Sequence, residues 1–162
     1  MRALALLIAI ALAGCGFRPM YAEGTGAVAG LNSLALGRTT GLEDAVRAFN
    51  DSAIGLFPAD PASARYRVNV QLQSRRRAVS VQTDDSVTRN DYVVTADWRI
   101  VAPETGEVVY RGTSQATASF SILDAQYAAY VSELDALKRA AGVVATDINR
   151  RSAAFFATNG PR

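Results

Sequence analysis

Tyr66-Arg67-Val68-Asn69-Val70-Gln71-Leu72-Gln73 alternates apolar and polar side chains without a break. Successive side chains of a strand point to opposite faces. Tyr66, Val68, Val70 and Leu72 therefore share one face, and Arg67, Asn69, Gln71 and Gln73 share the other. The period returns downstream, where Tyr92, Val94, Ala96, Trp98 and Ile100 alternate with Thr95, Asp97 and Arg99. Pro103-Glu104-Thr105-Gly106-Glu107 has the composition of a hairpin turn with its glycine late in the loop. Val108, Tyr110, Gly112, Ser114 and Ala116 then make a return strand. Three such strands form an antiparallel meander with one face to bury.

Helical periods flank the meander. Upstream, Leu42, Ala45, Val46, Phe49, Ala53 and Leu56 recur at the spacing of one helix face. Thr40 and Glu43 have the spacing of a capping box, and Pro58 and Pro61 close the segment. Residues 31–36 are a short strand candidate before it. Downstream, Tyr127, Val131, Leu134, Ala141, Val144, Ile148 and Phe155 fall three, four and seven apart, with Leu137 widening the stripe. This predicts a helix over about 124–157, stopped by Asn159-Gly160-Pro161, with Glu133, Lys138, Arg139, Asp147, Arg150 and Arg151 on its opposite face. Gly142 costs such a helix about 1 kcal/mol against alanine and marks a bend or a close contact. The expected class is α+β: a two-layer sandwich with an antiparallel sheet of about four strands and two helices packed on one face.

The N-terminus has a different character. Arg2 is followed by an apolar run from Ala3 to Leu12, about 10 residues, where a bilayer span needs about 20. That length suits the h-region of a secretory signal. Leu12-Ala13-Gly14-Cys15 resembles a bacterial lipobox, in which the cysteine thiol receives a diacylglyceryl group and the chain is cut just before it. Cys15 is the single cysteine of the chain, and a thioether to lipid leaves no unpaired thiol behind. Ala11-Leu12-Ala13 also fits an ordinary A-x-A cleavage site, which would release a secreted protein carrying a free thiol. The expected organisation is a signal peptide at 1–14, a lipidated N-terminus and tether at 15–30, one α+β domain at 31–158 and a tail at 159–162. Gly24, Gly26 and Gly30 carry the tether expectation. Phe17-Arg18-Pro19-Met20-Tyr21 reads either as linker or as a short anchor against a partner or the headgroup layer.

Composition narrows the chemistry. The chain of 162 residues, less its first 14, leaves 148, enough for one domain with a real core. It has 17 basic and 15 acidic residues. Without Arg2 the balance is 16 against 15, so no global field favours nucleic acid. There is no histidine, which excludes Ser-His and Cys-His catalysis and most zinc sites. Lys138 is the sole lysine and lies on the charged helix face, so serines and threonines have no evident base. No enzyme activity, no metal site and no cofactor beyond the lipid on Cys15 are expected.

Arg75-Arg76-Arg77 falls between the first two strands of the meander, with Arg89 across a polar connection that contains Asp84-Asp85. Asp84-Asp85 reads as a turn, with no companion ligands for calcium. The arginines read either as a solvated hairpin end that discourages edge aggregation or as guanidinium forks for phosphate or carboxylate. Strand alternation allows Arg75 and Arg77 to act together while Arg76 faces away.

Gly14-Cys15-Gly16-Phe17-Arg18-Pro19-Met20-Tyr21 resembles the N-terminus of the lipopolysaccharide-assembly lipoproteins (LptE) of alphaproteobacteria. There a Cys-Gly-Phe-x-Pro-hydrophobic-Tyr run follows the lipobox. The order of elements, the run 66–72, Thr88-Arg89 and Thr105-Gly106 are similar as well, so the resemblance covers nearly the whole mature chain. It implies a non-enzymatic protein on the periplasmic side of the outer membrane, seated in the lumen of a large β-barrel LPS-assembly protein (LptD-like) and engaging lipopolysaccharide. Gly16, where an inner-membrane retention signal would have Asp, agrees with outer-membrane sorting. On this resemblance Arg75, Arg77 and Arg89 are the candidates for phosphates or acidic sugars of the glycolipid. The alternative is a lipid-anchored auxiliary subunit of another envelope lipid-transport system of the ABC type.

Overall fold

The computed structural model describes residues 26–81, 87–121 and 125–160. The lipobox with Cys15, the anchor run 17–21 and Asp84-Asp85 lie outside the described residues. The elements are α1 (Gly26–Asn32), β1 (Leu34–Thr40), α2 (Glu43–Ala53), β2 (Tyr66–Val81), β3 (Val87–Val101), β4 (Val108–Ser121) and α3 (Gln126–Asn159). One sheet runs in the order β1-β2-β3-β4, and the helices cover one of its faces. The two-layer α+β class is the one the periodicities predict.

The meander is antiparallel, with Val70 opposite Trp98 and Trp98 opposite Gly112. The edge strand differs from an all-antiparallel sheet: β1 runs parallel to β2, so the sheet is mixed. The cause lies in α2, which occupies the connection between them. A strand that returns through a helical crossover to the same sheet comes back parallel.

The capping box does not form. Thr40 belongs to β1 and its hydroxyl donates to the Val70 carbonyl at 3.4 Å. The residue before α2 is Leu42, with no side-chain cap. Glu43 instead pairs with Arg47 one turn on, at 2.7 Å.

The arginine triplet lies inside a strand, not between strands. β2 runs on to Val81, so Arg75, Arg76 and Arg77 face Val93, Tyr92 and Asp91 across the ladder. The tether expected as far as Gly30 is helical from Gly26 onward. A β-carbon on Gly30 would overlap the Phe156 ring, and one on Gly26 would stand 2.8 Å from the Phe156 carbonyl oxygen. These glycines let α1 approach α3 closely, a packing role and not a flexible one.

The helix α3, with 34 residues, is about 50 Å long at 1.5 Å per residue. Its buried stripe begins at Ala136 and passes through Leu137, Ala140, Ala141, Val144 and Ile148 to Phe156. Small alanines let it lie close on the sheet and on α2. Tyr127 is 80% exposed and Val131 is 45% exposed, so the expected stripe starts two turns late. The buried residues of the helix begin at Ala136. At the other end Phe156 takes the core position expected of Phe155. Phe156 packs on Tyr66 at 5.2 Å between ring centres, while half-buried Phe155 packs on Tyr110 at 5.0 Å. No helix among the described residues is long and apolar enough to cross a membrane.

Candidate functional site

The face of the sheet away from the helices carries the polar half of each alternating strand. Near the β1 edge this face forms a recess of about 1510 Å³ whose lining includes Arg38, Arg67, Arg99 and Arg111. Arg99 stands directly opposite Arg111 on the β3–β4 ladder, and Asn69 stands opposite Arg99 on β2. Like charges placed opposite one another on a sheet repel. None of Arg38, Arg67, Arg99 and Arg111 has an ion-pair partner among the described residues.

Local structure sets these positions. A register shift between Leu36 and Thr39 turns β1 so that the Arg38 amide donates to Asn69 Oδ1 at 2.8 Å. A β-carbon on Gly37 would overlap Asn69 Oδ1 and displace it from this bond. Arg67 is held by two bonds to the Pro61 carbonyl, from Nε at 3.1 Å and Nη2 at 2.7 Å. Asp97 is the acid among the lining residues, and it accepts the Thr113 hydroxyl at 2.7 Å.

The three arginines singled out from sequence lie further along the same sheet. Arg75 and Arg77 share the open face by alternation, whereas Arg76 turns to the helices and lies 3.4 Å from Glu133 of α3. Arg77 Nη2 donates to Asp91 Oδ2 at 3.0 Å, and the Ser119 hydroxyl donates to Asp91 Oδ1 at 2.7 Å. The Asp91 carboxyl is held below the usual carboxylate range. The Ser119 bond has the largest effect, the Arg77 bond follows, and the charges of Arg77 and Arg89 add to them against the opposing effect of burial. The charge of Arg77 is thus matched internally. Exposed Arg75 has no ion-pair partner among the described residues, and Arg89 lies opposite Ser121 on β4.

Behind the recess a buried chain of bonds ties the sheet to α3. Trp98 Nε1 donates to Ser114 Oγ at 3.1 Å, and Ser114 Oγ donates to Asp147 Oδ2 at 2.7 Å. Arg151 lies over the indole at 5.4 Å and donates to the Thr113 carbonyl at 2.6 Å. Burial pushes the Asp147 carboxyl up. The bonds from Ser114 and Arg150, with the charges of Arg150 and Arg151, outweigh burial and hold it below its ordinary value.

Sequence reasoning did not single out the recess. Arg67 and Arg99 were visible only as members of polar faces, and Arg38 and Arg111 gave no local pattern. The signal that could have found them is the arginine at alternate positions of neighbouring strands, once the strand register is known. Among the described residues no group of three or more acids, cysteines or histidines could hold a metal ion.

No family model matches the chain, and no curated protein does. Solved structures do. A Caulobacter crescentus protein provisionally assigned as a lipoprotein is similar at TM-score 0.69 with 22% identity, over 85% of this chain and 99% of that one. The minor lipoprotein of Acinetobacter baumannii is similar at TM-score 0.58 with 16% identity, over 79% of this chain and 92% of that one. Rare lipoprotein B of Shewanella oneidensis is similar at TM-score 0.54 with 14% identity, over 78% and 96% of the two chains. The chain shares its fold with proteins described as bacterial lipoproteins.

Proposed function

We propose that this chain is a non-enzymatic envelope lipoprotein. In this reading a lipid on Cys15 anchors it to the periplasmic side of the outer membrane. It partners a large β-barrel of the LptD type and assists lipopolysaccharide assembly. The observation that carries the reading is the uncovered second face of the sheet. Strands of 14 to 16 residues present polar and basic side chains along a face that no helix among the described residues covers, about 50 Å long at roughly 3.3 Å per residue. The interior of a large outer-membrane barrel is polar, so such a face suits a lumen better than a bilayer or an apolar partner. The lipobox supplies the anchor, and the shared fold of lipoproteins agrees with it.

The test is affinity purification of the tagged, lipidated protein from a mild-detergent extract of outer membranes, followed by mass spectrometry. A stoichiometric large β-barrel protein is expected. Inner-membrane transporter subunits in its place would overturn the reading in favour of an auxiliary lipoprotein of an ABC-type system.

A further inference from the structure

We infer that the recess lined by Arg38, Arg67, Arg99 and Arg111 is a binding site for a small ligand that carries two or more phosphates or carboxylates on a hydroxyl-bearing scaffold. It is separate from Arg75, Arg77 and Arg89, and it does not depend on a barrel partner.

Charge gives the first reason. Arg99 and Arg111 face each other across the ladder with no carboxylate to neutralise either among the described residues. Several arginines elsewhere on the surface are matched. Arg47, Arg77, Arg139 and Arg150 each lie within 3.0 Å of an acid. Four arginines without an ion-pair partner among the described residues are gathered where the surface is concave. A concave basic site focuses its field and raises the local concentration of anions. Guanidinium forks bind phosphate and carboxylate through paired, charge-assisted hydrogen bonds.

Geometry gives the second. Arg67 is fixed through Nε and Nη2 on the Pro61 carbonyl, which leaves Nη1 to donate elsewhere. Arg67 lies on β2 opposite Val101, two residues from Arg99 along β3, about 7 Å at roughly 3.3 Å per residue, which gives room for two anionic groups side by side. Gln71 and Thr113 add neutral donors and acceptors, and the Asp97 carboxylate adds an acceptor, one ladder row beyond Arg99 and Arg111 on the side away from Arg67. That combination fits a ligand whose hydroxyl groups lie beside its anionic groups, as in a sugar bisphosphate, better than it fits a single free anion.

The experiment is titration calorimetry of the full chain in detergent micelles with glucose 1,6-bisphosphate, compared with glucose and with inorganic phosphate. Saturable binding of the bisphosphate is expected, tighter than phosphate by about tenfold or more because two groups are engaged together. Glucose should give none. The double variant Arg99→Gln/Arg111→Gln should weaken the bisphosphate about tenfold or more while its melting temperature stays level or rises, since a like-charge pair is removed. Arg47→Gln, on the helical side, should change binding by less than about twofold. Cardiolipin in the micelle competes if the natural source is a lipid head group, and leaves binding unchanged if the source is a free sugar phosphate. Either result keeps the site. Unchanged affinity in the double variant, an equal loss in Arg47→Gln, or phosphate binding as tight as the bisphosphate would overturn it. The barrel reading stands or falls separately, on what co-purifies with the wild-type chain.

Discussion

Gly112 lies directly opposite Trp98 on the β3–β4 ladder, and a β-carbon built on it would stand 2.7 Å from the indole ring. The gap left by the missing side chain is filled by the indole on one side and by the Arg151 guanidinium, 3.1 Å from the same point, on the other. The glycine is thus a packing residue. Replacing it with alanine forces the indole or the strand to move, and overpacking of this kind costs about 1–3 kcal/mol. Gly112→Ala should lower the midpoint of chemical denaturation by that amount. Gly106, in the turn with nothing within 4 Å, provides the contrast. Its positive φ of 71° makes alanine there a matter of backbone strain alone.

Trp98 itself is 3% exposed and joins three partners: Tyr110 by ring contact, Ser114 by hydrogen bond and Arg151 from above. Truncation would empty a site between the sheet and α3 and leave the Ser114 hydroxyl without its donor. Trp98→Ala should destabilise by roughly 3–5 kcal/mol. Equilibrium urea unfolding measures it, and a shift near zero would mean that the indole contributes nothing to the packing of the two layers.

Gly30 supports a prediction about the N-terminal segment. If α1 is docked on α3 as part of the domain, Gly30→Ala should drive the Phe156 ring from its place beside Tyr66 or release α1. Hydrogen exchange would read the difference. Amides of residues 28–32 should be protected in the wild type and lose protection in the variant, with the β2–β3 ladder unchanged. Fast exchange at these amides in the wild type would mean that the segment is a tether after all.

Acid should loosen the link between layers. Asp147 has its carboxyl held below the ordinary value near 3.8. A group with a depressed native pKa stabilises the fold at pH above its unfolded pKa, and the stabilisation is lost as pH falls through the native value. Thermal stability should therefore be flat from neutrality to about pH 5 with respect to this group and decline below about pH 4. Asp91, lowered by Ser119 and Arg77, adds in the same direction. Asp147→Asn should cost about 1.5–3 kcal/mol at neutral pH and flatten the acid limb. An acid limb of the same depth in the variant would assign it to other groups.

The legible part of this fold is the part governed by local period. Tyr66 to Leu72 and Tyr92 to Ile100 show their buried face directly, because alternation depends on nothing distant. The parallel pairing of β1 was not legible, since it follows from where the crossover through α2 delivers the chain. Gly26 and Gly30 were misleading for a similar reason. A glycine reads as flexible until the Phe156 ring, more than 120 residues away in sequence, is known to fill its place. The recess depends on register. A shift between Ile100 and Val101 separates the pair Val101 and Val108 from the pair Ile100 and Tyr110. Without that extra residue Arg99 would oppose Tyr110 and not Arg111, and no sequence pattern announces the bulge. Arg75 and Arg77 were found because they are adjacent in sequence. The partner that neutralises Arg77 is fourteen residues on.

That neutralisation bears on the last prediction, the binding of glycolipid by the distal arginines. Arg75 is unpaired among the described residues, while Arg77 is committed to Asp91 at 3.0 Å. If these residues meet phosphates of lipopolysaccharide, Arg75→Ala should weaken binding more than Arg77→Ala, because an anion at Arg77 must compete with a carboxylate already in place. Both losses should be larger at low salt, where exposed charges are least screened. Fluorescence titration of labelled lipopolysaccharide against the full chain and each variant, at about 20 and 200 mM salt, gives the comparison. Equal affinity for all three proteins at both salt concentrations would reduce this cluster to a surface device that keeps the end of β2, which β1 pairs only as far as Gln71, from pairing with other chains.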